Sequence, residues 1–470
     1  AVSPASLADA GAAGLAAAYA RREVSPVEVA TAVIARIEAC EPRLHALYAF
    51  DRAAVLSAAR ASQARWLRNA PLSALDGVPV TIKENVATRG TPVPLGTAAT
   101  DLVPAATDAP PAARLREAGC VLLAKTTMPD WGMLSSGLSS FHPLTRNPWD
   151  LSKSPGGSSA GAAAAAAAGY GPLHLGTDIG GSIRLPAGWC GVLGFKPSLG
   201  RVPIHPPYAG RVAGPITRCV DDAARMMAVL AQPDDRDTMS LPAQELDWLA
   251  EGGDGARGLR VGLWLDAGWG LPVEAEIRHA VEACAVALEQ AGATVEPVAP
   301  FCNREMADGL DRFWRMRSWL DVQALPVDRR MKVLPYIRDW VAPAAGYTGA
   351  QVFHGYSQMG ALREAAVAAT RSFDALLSPV SPVPTFPAEW ASPLNDPQRP
   401  FEHIAFTLPF NMSEQPAIAV PWGFTTTGLP VGVQIAGPRH DDVGVLRLAR
   451  LVEQLRPALR SWPDVTVQPC

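Results

Sequence analysis

Apolar positions recur first with a helical period, then in short strand-like runs separated by helices. Residues 5–22 read as one alanine-rich helix, and Ser25-Pro26-Val27-Glu28 opens a second with a capping box and a proline in its first turn. Val29, Val33, Ile34 and Ile37 make its apolar stripe, and the helical pattern continues to about Gln63. The period turns strand-like at 77–83, a run that ends in Lys83. A helix near 109–118 leads into the apolar strand 121–124, which ends at Lys125. Residues 131–150 carry no period. Residues 160–168 read as an alanine helix close against a sheet, and 173–175 as a buried strand entering Gly176-Thr177-Asp178. Helices at 219–231 and 273–291 and strands at 259–265 and 294–298 continue the alternation. Residues 304–370 are mostly helical, with Trp314, Trp319, Tyr336 and Trp340 read as core. Strands at 375–377, 417–421 and 431–435 and a helix at 442–454 close the chain. Strands alternating with helices predict an α/β fold, a mixed or largely parallel sheet covered by helices.

Composition narrows the function classes. The 470 residues are 48% hydrophobic and 18% charged, enough apolar material for a large core. A net charge of −4 without a basic block leaves no footprint for nucleic acid. The seven cysteines are odd in number and form no CxxC pair. They argue against a disulfide framework or zinc knuckle and fit a reducing cytoplasm. The start lacks a basic segment before an apolar one and reads as helix rather than signal peptide. The alanine run 162–168 is too short to span a membrane. Gly253-Asp254-Gly255-Ala256-Arg257-Gly258 matches a dinucleotide loop formally, but it precedes a strand instead of following one and reads as a plain loop.

Candidate chemistry is densest at 154–198. Two serines are set in glycine there, Gly156-Gly157-Ser158-Ser159 and Gly180-Gly181-Ser182. Glycines let the backbone turn with φ > 0 and leave amide N–H groups uncovered, and uncovered amides can hold an oxyanion. The eight histidines are dispersed, with no HExxH, and the chain has no GxSxG elbow and no phosphate loop. A serine nucleophile therefore needs another base. Lysine is the available kind, and it serves only when neutral, which burial favours. No metal or cofactor is called for.

The run GGSSAG…GTDIGGSIRLPAGWCGVLGFKPS resembles the signature of the amidase signature family of serine hydrolases. That family uses a Ser–cis-Ser–Lys triad. Gly77-Val78-Pro79-Val80-Thr81-Ile82-Lys83-Glu84-Asn85 is similar to its lysine motif, and Lys83 precedes Ser158 by 75 residues, as the family pattern expects. Similarity extends to Asn147-Pro148-Trp149-Asp150, Asp374-Ala375-Leu376-Leu377-Ser378-Pro379 and PAIAVPWG…GLPVGVQIAG near the C-terminus. Ala160, Glu84 and Ser198 depart from the usual Gly, Asp and Thr, and none of these removes a reacting group.

The resemblance implies an amidase-signature-like fold, a central twisted mixed sheet with helices on both faces, in a single domain over 1–470. Its parts would be a helical N-terminal segment (1–65), a catalytic core (75–215) and the remaining sheet with substrate-pocket helices (216–470). It implies Ser182 as nucleophile, Ser158 as proton relay on a cis peptide, and Lys83 as base. Backbone N–H groups of Ile179, Gly180, Gly181 and Ser182 would form the oxyanion hole. Trp131, Met133 and Leu134 lie where the family lines its acyl pocket, and Phe141 is a further apolar candidate. Asp178 and Arg184 read as a structural ion pair holding the loop, Ser159 as a network hydrogen-bonder, and Cys190 as buried and inert.

The expected activity is hydrolysis of a small neutral, partly apolar amide or anilide, with carbamates or esters as further substrates. The expected state is a cytoplasmic monomer or homodimer with no nucleic-acid or membrane partner. A second expectation is the amidase component of a tRNA-dependent amidotransferase. That component usually carries an Asp three residues before the Thr of a Phe-Thr-x-Pro motif. Here the motif is Phe406-Thr407-Leu408-Pro409 and Ile404 takes that place. A catalytically dead scaffold is a third reading, and the intact Lys83, Ser158 and Ser182 speak against it.

Overall fold

The structure, a computed structural model, describes residues 4–251 and 253–469. Eleven strands form one sheet: β1 (Leu47–Tyr48), β2 (Pro79–Lys83), β3 (Val121–Thr126), β4 (Leu173–Asp178), β5 (Leu193–Lys196), β6 (Val212–Thr217), β7 (Arg260–Leu263), β8 (Thr294–Pro297), β9 (Ala375–Pro379), β10 (Ala417–Phe424) and β11 (Pro430–Ala436). Their order is β1-β3-β2-β4-β6-β5-β10-β11-β9-β7-β8. β2 runs parallel to both β3 and β4, and β7 parallel to β8 and β9, while the strands between are antiparallel. The fold is α/β with a mixed sheet.

Successive side chains of a strand point to opposite faces, and β10 divides accordingly. Ile418 and Val420 pack in one apolar core, Ala419 in the other. The first core holds helices Pro26–Leu44, Val220–Leu230, Ala275–Gln290 and Asp442–Leu455. The second holds Arg304–Ala324 and Gly349–Thr370. The Ser25 capping box forms as its sequence predicts, Ser25 Oγ accepting from Glu28 N and Glu28 accepting from Ser25 N.

Two helical expectations are corrected. Residues 5–22 are not one helix: Pro4–Leu7 and Ala12–Ala20 are separated by extended Gly11, where Ala12 N–H donates to the buried Asp222 carboxylate at 2.8 Å. The pattern to Gln63 is also interrupted. His45 turns left-handed (φ 53°), and β1 pairs with the edge of β3 before Asp51 caps a new helix, Arg52–Leu67. Glu41 accepts the Ala46 and Leu47 N–H groups at that break. In both places a tertiary partner for the backbone overrides local helix propensity. Among the elements with no periodic signal are β5, β6 and the helix Arg184–Cys190. These three are buried on every side and interrupted by glycine or proline.

Among the described residues no helix is long and apolar enough to cross a membrane, and no group of three or more His, Cys, Asp or Glu could hold a metal ion. Six cysteines are free thiols, and Cys470 lies outside the described residues.

Candidate active site

Parallel pairing brings the ends of β2 and β4 together. Ile82 lies opposite Leu175, so Lys83 finishes its strand beside Gly176 and Thr177. The Lys83 side chain is fully buried. Its Nζ lies 2.7 Å from Ser158 Oγ, 2.8 Å from Thr177 Oγ1 and 3.5 Å from the Thr177 carbonyl. Burial pulls the Lys83 ammonium down from its ordinary 10.5 to about 7. Asp178 and Glu84 oppose this and the charge of Arg211 adds to it. An ammonium would donate to Ser158, whereas a neutral amine can accept the Ser158 proton.

Ser158 follows a cis peptide bond from Gly157. A Cβ on Gly157 would fall 2.6 Å from the Ser136 carbonyl oxygen, so only glycine fits this backbone approach. Ser159 joins the two serine loops. Its N–H donates to the Ser182 carbonyl at 3.2 Å, its hydroxyl donates to the Thr177 carbonyl at 3.0 Å, and the same oxygen accepts from Thr177 N–H. Helix Ala160–Ala168 starts at this junction with all nine residues buried.

The loop before Ser182 is held by Asp178. Its carboxylate accepts Gly181 N–H at 2.8 Å, Ile183 N–H at 3.1 Å, and Nε and Nη2 of Arg184 at 3.0 Å each. The Asp178–Arg184 ion pair read from the sequence is present and fully buried. Burial alone would raise the Asp178 carboxyl, but Arg184, the Asn411 amide and Lys196 outweigh it and hold it well below the usual carboxylate range. Arg184 is saturated by Thr407 O, Gln434 Oε1 and Asn411 Oδ1. Thr407 Oγ1 donates to the Gly180 carbonyl at 2.6 Å and clamps the loop from the other side.

One element of the expected oxyanion hole is corrected. Gly181 N–H already donates to Asp178, so it is not an uncovered donor. The N–H groups of Ile179, Gly180 and Ser182 have no acceptor among the described residues. These three remain able to hold an oxyanion.

A narrow cavity beside Ser182 has a free volume of about 30 Å³. Met133 and Leu134 line it as expected from their position, with Ile179, Leu185, Trp314, Phe401 and Ile404. Trp131 is not among the lining residues. Its backbone N–H is tied to Leu95 O while its ring packs against the second core. Phe141 is also elsewhere, edge-on to Tyr48 and His142. Leu185, Trp314 and Phe401 were missed as lining. Trp314 read as core and is only 2% exposed, yet it also walls the cavity from a helix 132 residues beyond Ser182, and no local pattern announces that role. Thr177 and Asn85, whose Nδ2 donates to Thr177 Oγ1 at 3.1 Å, were likewise missed, although both lie inside the quoted motifs. Cys190 is fully buried, and burial pushes its thiol well up. Larger cavities of about 880 and 590 Å³ lie against helix Asp442–Leu455 and the C-terminal segment, and neither contains Lys83, Ser158 or Ser182.

The family model for Amidase matches residues 28–446. The chain is 36% identical to the A component of the glutamyl-tRNA(Gln) amidotransferase of Myxococcus xanthus, over 94% of this chain and 96% of that one. It is 34% identical to an acylamidase of Rhodococcus erythropolis, over 96% and 95%. Among solved structures, a bacterial aryl acylamidase of the amidase signature family superposes with a TM-score of 0.88 at 30% identity, covering 98% of this chain and 99% of that one. On this fold, this motif set and this match along its length, the chain belongs to the amidase signature family.

Proposed function

We propose that this amidase-signature hydrolase cleaves a small, partly apolar amide or anilide through an acyl-enzyme on Ser182. The observation that carries the reading is the buried Lys83 amine, 2.7 Å from the Ser158 hydroxyl and drawn by burial to about 7. Ser182 Oγ attacks the carbonyl carbon, and its proton passes through the Ser158 hydroxyl to Lys83 Nζ. The carbonyl oxygen takes up negative charge facing the uncovered N–H groups of Ile179, Gly180 and Ser182. Collapse expels the amine, which takes back the proton from Lys83 through Ser158. Water then attacks the acyl ester along the same relay in reverse and leaves the free acid. Carbamates and esters pass through the same kind of oxyanion and are further substrates on this reading.

The uncharged lining of the cavity supports an apolar acyl group, as does similarity to an acylamidase and an aryl acylamidase. Similarity to the amidotransferase component favours a second reading, glutamine hydrolysis within a complex. Against it, Ile404 faces the cavity where a carboxylate would contact glutamine. The test is a side-by-side rate measurement on an anilide, an aryl carbamate and glutamine with the purified chain, together with fluorophosphonate labelling of Ser182. Ser182→Ala should lose both turnover and label while keeping its melting temperature. Undiminished turnover in that variant removes Ser182 from the mechanism, and glutamine as the best substrate replaces the first reading with the second.

A further inference from the structure

Two arginines beside the cavity, both part-buried, are poorly supplied with acceptors. Arg211 lies one residue before Val212, which pairs with Asp178 across β6 and β4. It therefore stands opposite Ile179, the first residue of the loop that carries Ser182. Arg317 comes from helix Arg304–Ala324, on the other wall. Both guanidinium groups lie against the Tyr208 ring, with Arg211 Cζ 4.9 Å and Arg317 Cζ 4.8 Å from its centroid.

Neither arginine forms an ion pair among the described residues. Among the described residues the Arg211 side chain has no hydrogen bond, and Arg317 has one, from Nη2 to the Met133 thioether at 2.9 Å. Arg317 Nη1 is buried with no hydrogen-bond partner among the described residues. Asp321, one turn along the helix from Arg317, is exposed and forms no ion pair with either among the described residues, but its carboxylate is near enough to feel both charges and offsets them in part. A thioether is a weak acceptor and a phenol ring offers only its face. Arg184 supplies the contrast within the same molecule, since every part of its buried fork meets an oxygen. Leaving a buried charged donor such as Arg317 Nη1 without an acceptor is costly unless a ligand supplies one.

We propose that Arg211 and Arg317 form an anion subsite, and that the preferred substrate carries a carboxylate beyond its scissile amide. Met133 links the two parts: it lines the cavity beside Ser182, and its sulfur touches Arg317. A planar carboxylate matches the guanidinium fork in a way that a neutral group does not. The cavity lining contains no acidic residue, and Ile404 occupies the place of one. The cavity beside Ser182 therefore offers no acidic partner to the ammonium of an α-amino-acid zwitterion, and a substrate whose carboxylate stands without an adjacent ammonium fits better. This revises the expectation of a substrate neutral throughout and keeps the apolar acyl end. Removing the positive charge of Arg211 also raises the Lys83 ammonium, so Arg317 is the cleaner position to change.

The inference rests on the hydrolase reading of the same cavity, and two measurements keep the two apart. The first compares kcat/KM for acetanilides carrying meta- or para-carboxylate, and for monoanilides of short dicarboxylic acids, with the methyl ester of each. At least one carboxylate should exceed its ester by about tenfold or more, mainly through KM, as for one charge-assisted pair. That ratio should fall to about one in Arg317→Met and be partly restored in Arg317→Lys. The second is calorimetric titration of the Ser182→Ala chain with benzoate and with benzamide, which needs no turnover. Benzoate should bind about tenfold tighter, and Arg317→Met in that background should abolish the difference. Esters and acids hydrolysed equally, with benzoate no better than benzamide, overturn the anion subsite and leave the hydrolase reading standing. Benzoate binding through Arg317 with no amide or anilide turned over overturns the hydrolase reading alone.

Discussion

If Lys83 is the base, its protonation sets the rate, and the pH profile follows from its burial. With the ammonium drawn to about 7, roughly a tenth of Lys83 is neutral at pH 6, about half at pH 7 and about nine-tenths at pH 8. At its ordinary 10.5 well under a thousandth would be neutral at pH 7. The difference corresponds to roughly 5 kcal/mol, the size expected when a lysine is taken out of water beside an arginine. On an anilide with no titrating group, kcat/KM should rise about tenfold from pH 6 to pH 8, with the slope approaching one below pH 6, and then level. The assay is initial rate in a constant-ionic-strength buffer series at low substrate, which reports the free enzyme. Two other buried lysines, Lys125 and Lys196, are also drawn by burial to about 7, so the midpoint alone does not assign the group. Their partners do: Lys125 Nζ donates to Val86 O and Thr88 Oγ1 and Lys196 Nζ to Pro197 O, and neither meets Ser158. Lys83→Ala should therefore lose about a hundredfold or more in kcat, while Lys125→Met keeps the rising limb. A flat profile, a midpoint above pH 9, or a Lys83→Ala variant within tenfold of the parent would refute the assignment.

Thr177→Val removes an acceptor 2.8 Å from Lys83 Nζ. The charged form of Lys83 loses a partner, so the rising limb should move to lower pH and kcat should fall by about tenfold, read from the same buffer series. Asp178→Asn breaks a fully buried ion pair and leaves the Arg184 charge uncompensated. It should cost about 3–5 kcal/mol in urea unfolding, and full-strength unfolding in that variant would show that Arg184 is held by its other acceptors alone. In that variant Lys83 also loses the pull of Asp178, so any activity left should rise at lower pH than in the parent.

The sequence by itself carried the kinds of groups and their order along the chain. Lys83 ends a strand, Ser158 and Ser182 sit in glycine, and no histidine is placed to serve them, so the chain alone offered lysine as the candidate base, and the family resemblance singled out Lys83. The α/β class and most strands were also legible, because amphipathic helices and apolar strand runs differ in period. The tertiary structure decided what depends on distant partners. It split two helical runs where Asp222 and the edge of β3 satisfy backbone groups. It supplied β5 and β6, which are buried on both faces and so show no alternation to read. It gave the Gly181 amide to Asp178, leaving three uncovered donors of the expected four. It moved Trp131 and Phe141 out of the cavity wall and brought in Trp314 from a helix more than a hundred residues away. The meeting of Arg211 and Arg317 at the Tyr208 ring is likewise invisible along the chain. Which amide is free, which side chain faces a cavity and which charge lacks a partner depend on packing between elements far apart in sequence, and no local pattern encodes that.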